Sequence, residues 1–167
     1  MRRHIRPFVA RHETGGQFLS HLKSGSGAVV GMSAVGGLAL LTGMPLLIAP
    51  LGATAVLLFG QPTSPLAQPA NIFGGYLIAT VIGACTAAAF PGAWWAASIA
   101  VGFAVAMMLA LRVTHPPAGA LPLVASASPL HGSSLFAVVL LGSASLVALA
   151  FLHHRIPPRQ EYPRRVD

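Results

Sequence analysis

Residues 24–60 read SGSGAVVGMSAVGGLALLTGMPLLIAPLGATAVLLFG, and not one of them carries a charge. The gap goes on: no Asp, Glu, Lys, Arg or His occurs again until Arg112. A water-soluble domain charges roughly a quarter of its surface, so this block has no aqueous surface to offer. A bilayer reverses the requirement, because a charge at mid-depth costs ~2.5–3.5 kcal/mol. Beyond Arg112 only His115 and His131 titrate before the closing His153-His154-Arg155. The chain reads as an all-α polytopic membrane protein whose first partner is the lipid bilayer.

The net charge of +7 would suit nucleic acid if the basic residues formed a face, but they do not. Arg2, Arg3, Arg6, Arg11 and Lys23 precede the apolar block, and Arg155, Arg159, Arg164 and Arg165 follow it. Glu13, Glu161 and Asp167 lie in the same two tails. Basic residues flanking membrane spans mark the cytoplasmic side. Residues 1–23 and 155–167 are therefore expected as cytoplasmic tails around one membrane domain, 24–154, in the cell inner membrane or plasma membrane. A polar, basic start before the first apolar stretch predicts a retained anchor rather than a cleaved signal. Cys85 stands alone, so no intrachain disulfide is expected.

Four stretches are long enough, or nearly so, to cross ~30 Å of hydrocarbon as helices. They run from about Gly25 to Leu41, Phe73 to Phe90, Trp94 to Leu111 and Ser133 to Leu152. Gly36-Gly37, Gly74-Gly75 and Gly83 let backbones approach closely, which is how membrane helices pack. Between the spans, Pro50-Leu51-Gly52-Ala53 matches Pro117-Ala118-Gly119-Ala120 at an offset of 67 residues, and Pro62 matches Pro129 at the same offset. Deleting about eight linker residues also aligns Ile82-Gly83 with Leu141-Gly142. The pattern predicts two tandem repeats, about 25–90 and 94–152, each a span, a broken segment and a span. Thr54 to Gly60 gives only ~10 Å of helix. Each broken segment is accordingly expected to be re-entrant, which opens Gln61 to Ala70 on the side away from the tails.

Proline in a first turn favours a helix start, so Pro50, Pro116 and Pro117 take structural roles at the breaks. A helix N-terminus offers unpaired N–H groups and about half a positive charge. Two such ends, with no carboxylate in the membrane block, form a receptor for a small anion rather than a cation. The candidate substrate-binding residues are Gly52, Ala53, Thr54, Asn71, Arg112, Thr114, His115, Gly119 and Ala120. Arg112 at the end of the third span either draws anions or snorkels to the headgroups. His115, held extended by the following proline, either donates to an anion and accompanies it with a proton, or braces the loop. His131 and His153-His154 read as interfacial residues without the company of a metal site. No cofactor is implied.

The run Thr114-His115-Pro116-Pro117-Ala118-Gly119-Ala120 resembles the HPP family of small integral membrane proteins. A second block agrees: Pro50 through Gly60, then Ser64-Pro65-Leu66-Ala67-Gln68-Pro69 and Asn71, with Gly74-Gly75 beyond. The resemblance covers about residues 18 to 154. It implies a four-helix membrane protein and, through plastid and cyanobacterial relatives associated with nitrite transport, a transporter of small anions. The leading expectation is therefore a transporter or channel for a small inorganic anion, nitrite first. The alternative is a non-transporting scaffold or regulatory subunit. An intramembrane enzyme fares worst, because no carboxylate at membrane depth orients His115 against Ser126 or Ser128. A thin wall of short spans suggests a homo-oligomer.

Overall fold

The computed structural model describes residues 10, 15, 18–130 and 132–164. Most of the N-terminal tail, His131 and residues 165–167 lie outside the described residues. The described chain is all-helical. A long helix α1 (Phe18–Thr42) leads through an extended stretch into α2 (Ala49–Ala55), which widens into a π-helical turn at Val56–Gly60. A 3₁₀ turn (Pro65–Ala67) precedes α3 (Pro69–Ala89) and α4 (Trp94–Ala110). A second 3₁₀ turn (Pro116–Ala120) then opens α5 (Leu121–Ala127), and α6 (Gly132–His153) closes the bundle. Three helices, α1, α3 and α6, are long and apolar enough to cross a membrane, whereas α4 has 17 residues.

The helix boundaries follow local chemistry. Pro50 sits in the first turn of α2 behind an extended Ile48, and Pro69 does the same for α3 behind Gln68. Gly92, in the turn between α3 and α4, has φ +70°, a left-handed conformation that glycine adopts without steric cost. On α1 the buried stripe is Gly27, Gly31 and Val35, spaced by one helical turn. Phe59, Leu146 and His153 press against its two glycines.

The broken segments are not re-entrant. Leu58 accepts a hydrogen bond from His154, Gln68 accepts one from Arg164 N–H, and the Lys23 amine donates to the carbonyls of Ile156 and Pro158. The end of α2, the start of α3, the start of α1 and the end of α6 thus share one end of the bundle, the basic end. Pro91, Gly92, Ser128 and Gly132 line a common cavity at the opposite end. Residues 43–60 therefore run from the far end of α1 back to the basic end, and residues 113–130 run the other way. The stretch from Gln61 to Ala70 accordingly lies with the tails, not on the side away from them. The length estimate failed because it counted helix only; the extended stretches before each short helix, at ~3.3 Å per residue, supply the missing distance.

The two halves are therefore inverted. The glycines that align in sequence carry the same two-fold relation: Gly83 of α3 receives Pro122 of the second broken segment, and Gly142 of α6 receives Leu51 of the first. Each half holds the other's break in its own closing helix. In the same way α1 packs on α6 and α4 packs on α3. Such reciprocal packing reports a pseudo-two-fold axis, and the opposite runs of the two broken segments make the repeat an inverted one. An access experiment checks it. In a Cys85→Ala background, Thr63→Cys and Arg159→Cys are expected to react with an impermeant thiol reagent from the same side, and Pro91→Cys from the other. Labelling of Pro91→Cys from the same side as Arg159→Cys, with Thr63→Cys reacting from the other, would restore the re-entrant fold.

Candidate functional site

Where the breaks meet, α2 touches the Pro116–Ala120 turn. His115 lies just before that turn, extended at φ −134°, ψ 99° as a residue before proline must be. Its Cβ packs against Gly75, where any side chain would collide. The ring is wholly buried. Nδ1 lies 2.8 Å from the Leu66 carbonyl, and Nε2 lies 2.8 Å from Thr54 Oγ1. Thr54 is equally buried and also sits 2.6 Å from the Tyr76 hydroxyl and 3.1 Å from the Pro50 carbonyl. The Tyr76 ring meets the imidazole edge-on, with centroids 5.0 Å apart. Four elements thus converge on one polar cluster inside an apolar core.

Asn71 works beside this cluster. Its amide Nδ2 donates to the Thr114 carbonyl at 3.0 Å, tying the start of α3 to the segment that presents His115. The Thr114 hydroxyl reaches the Met108 carbonyl only at 3.5 Å, the limit of a hydrogen bond. Asn71 therefore holds, from the first half of the chain, the loop to which Thr114 belongs.

The remaining candidates stand apart. Arg112 is exposed, in a left-handed conformation at φ 58° just past α4, which places it at the surface of the basic end. Gly52 is half-buried, but Ala53 is exposed on the outward line of α2 that also carries Ala49 and Val56. Gly119 and Ala120 are half-buried in the second 3₁₀ turn. A Cβ added at Gly52 or Gly119 would meet no heavy atom within 4 Å. Pro117 is buried and Pro116 exposed; both open the 3₁₀ turn.

Sequence reasoning missed Tyr76 and the Leu66 carbonyl. Tyr76 had a signal, because a buried phenol in an apolar helix needs a partner for its hydroxyl. The Leu66 carbonyl had none. His153 and His154 bond to the carbonyls of Lys23 and Leu58, so both brace the basic end. There the C-terminal segment folds back over the bundle, burying Tyr162 against His154 with ring centroids 5.6 Å apart. Burial pushes the Tyr162 phenol above its ordinary range. Among the described residues no group of three His, Cys, Asp or Glu could hold a metal.

Two cavities flank the sealed cluster from opposite ends. One of about 510 Å³ lies among Ala84, Ala87, Pro91, Ser126 and Ser128. The other, about 410 Å³, lies at the basic end among Gly60, Gln61, Ser64, Gln160 and Glu161.

The family described as HPP, transmembrane region, matches residues 13–163. Two proteins of Dictyostelium discoideum, each named only as a transmembrane protein, are similar to this chain. One is 30% identical over 125 residues, 70% of this chain and 40% of the relative. The other is 36% identical over 85 residues, 48% of this chain and 30% of the relative. The chain thus spans less than half the length of either relative. No solved structure matches it.

Proposed function

We propose that this chain, which belongs to the HPP transmembrane family, carries a small inorganic anion across the membrane, with nitrite the first candidate. The observation that carries the reading is the meeting of two broken spans, in opposite orientations, around a buried polar cluster with no carboxylate beside it. Discontinuous helices at mid-depth turn their positive ends and bare backbone toward anionic groups. Gly52, Thr54, His115, Gly119 and Ala120 are the proposed contact residues. Asn71 and Thr114 position them, and Arg112 anchors the end of α4 near the headgroups. The proposal places both termini on the cytoplasmic side and assigns no enzymatic activity.

A second copy of the chain is proposed to cover the outward face of the first break. Leu47 and Val56 are 61% and 67% exposed there, beside an extended backbone. Irregular backbone at bilayer depth is tolerated only against protein or a wet cavity.

The test is anion flux in liposomes that carry only the purified protein. Flux is expected with the wild type and is expected to vanish in Gly52→Val and Gly119→Val, while both variants fold and purify. Because neither added side chain meets a protein atom at its Cβ, loss of flux reports lost space for a ligand. Full flux in both variants would remove the breaks from the pathway. Absence of flux in the wild type would favour the scaffold reading.

A further inference from the structure

The hydrogen-bonding capacities around His115 close in only one way for each charge state of its ring. The Leu66 carbonyl can only accept, so Nδ1 must carry a hydrogen to bond it at 2.8 Å. In the neutral ring Nε2 is then an acceptor, and the Thr54 hydroxyl must donate to it across 2.8 Å. That uses the one hydrogen Thr54 has. Tyr76 must therefore donate its own to Thr54 Oγ1 across 2.6 Å. When Nε2 gains a proton it becomes a donor, and the Thr54 hydrogen needs another acceptor. The Pro50 carbonyl, 3.1 Å from Thr54 Oγ1, is that acceptor. Oγ1 then accepts from both Nε2 and Tyr76. Both charge states are fully bonded with the same heavy-atom positions, and they differ by the turn of one hydroxyl.

We propose that Thr54 is a two-position hydrogen-bond switch that lets His115 bind and release a proton, with Tyr76 as fixed donor and the Pro50 carbonyl as second acceptor. A proton from water adds to the Nε2 lone pair as the Thr54 hydroxyl turns to the Pro50 carbonyl, and no other covalent bond of the cluster forms or breaks. Tyr76 on α3 is the titratable group that faces the ring; Thr54 on α2 and the Leu66 carbonyl are its other polar neighbours. The purpose of the switch rests on the transport reading. A proton on His115 balances one negative charge, so anion and proton cross a charge-free core as a neutral load.

The test reads the imidazole nitrogens by ¹⁵N NMR in histidine-labelled protein reconstituted in lipid, with His115→Gln identifying the signals by their loss. At alkaline pH the hydrogen is expected on Nδ1, with Nε2 bare; on acidification both nitrogens carry one. Thr54→Val keeps the side chain's shape and removes the hydroxyl. It is expected to move the midpoint of the His115 titration to lower pH by about one to two units, the worth of a hydrogen bond to a charged group. Thr54→Ser is expected to restore the wild-type midpoint. A hydrogen on Nε2 of the neutral wild-type ring overturns the switch, and so does an unchanged midpoint in Thr54→Val. The wild-type measurement stands even if Thr54→Val does not fold. None of these readouts needs flux. A switch that behaves as expected in a protein that moves no anion overturns the transport reading alone.

Discussion

Gly83→Ala is expected to destabilise the protein by about 3 kcal/mol, the upper end of what overpacking a core costs. The added Cβ would stand 2.9 Å from Pro122 Cα, 3.2 Å from Pro122 N and 3.3 Å from the Leu121 carbonyl oxygen. All three are backbone atoms, so no rotamer change relieves the collision. The second broken segment would have to lift off α3. Gly142→Ala is a milder case, because its Cβ meets the Leu51 side chain, which has other rotamers. Gly119→Ala meets nothing and is expected to stay within about 0.5 kcal/mol of wild type. Thermal unfolding midpoints in one detergent, read alongside monodispersity, rank the three. A Gly83→Ala protein as stable as Gly119→Ala would mean that Pro122 does not sit on Gly83.

That ranking also measures what the sequence made legible. The missing charges between Ser24 and Leu111 identified the solvent, and the prolines at 50 and 117 located both breaks. The alignment of Gly83 with Gly142 was visible too, but not its meaning. A sequence repeat is equally compatible with parallel and inverted halves, because hydropathy is blind to the direction in which a span is crossed. The direction became visible only when the ends of α2 and α6 and the start of α3 proved to share one end of the bundle, through the bonds of Leu58 with His154 and of Gln68 with Arg164. The site divided along similar lines. His115 and Thr54 were legible as polar residues stranded in apolar sequence. Their bond was not, because it joins residues 61 positions apart in different halves. The acceptor for His115 Nδ1 is a backbone carbonyl, which no side-chain pattern reveals.

His115→Ala is expected to cost the most of any change at the site, about 3–5 kcal/mol. Removing a buried ring leaves a cavity, and large-to-small changes of that size cost ~3–5 kcal/mol by themselves. The Leu66 carbonyl also loses its donor, whereas Thr54 keeps Tyr76 and can turn to Pro50. His115→Phe separates the two contributions: it refills the space and leaves the carbonyl unpaired, so its cost is expected near ~1–3 kcal/mol. Equal unfolding midpoints for wild type and His115→Phe would show that neither ring nitrogen braces the fold. His115→Gln goes further, because an amide offers hydrogen bonds but does not titrate near neutrality. It is expected to fold, and any flux it retains is expected to lose the wild-type dependence on pH. The brace and the proton carrier thus part company in one variant. Wild-type pH dependence in a folded His115→Gln protein would leave His115 as a brace, and anion recognition would then rest on the two helix starts alone.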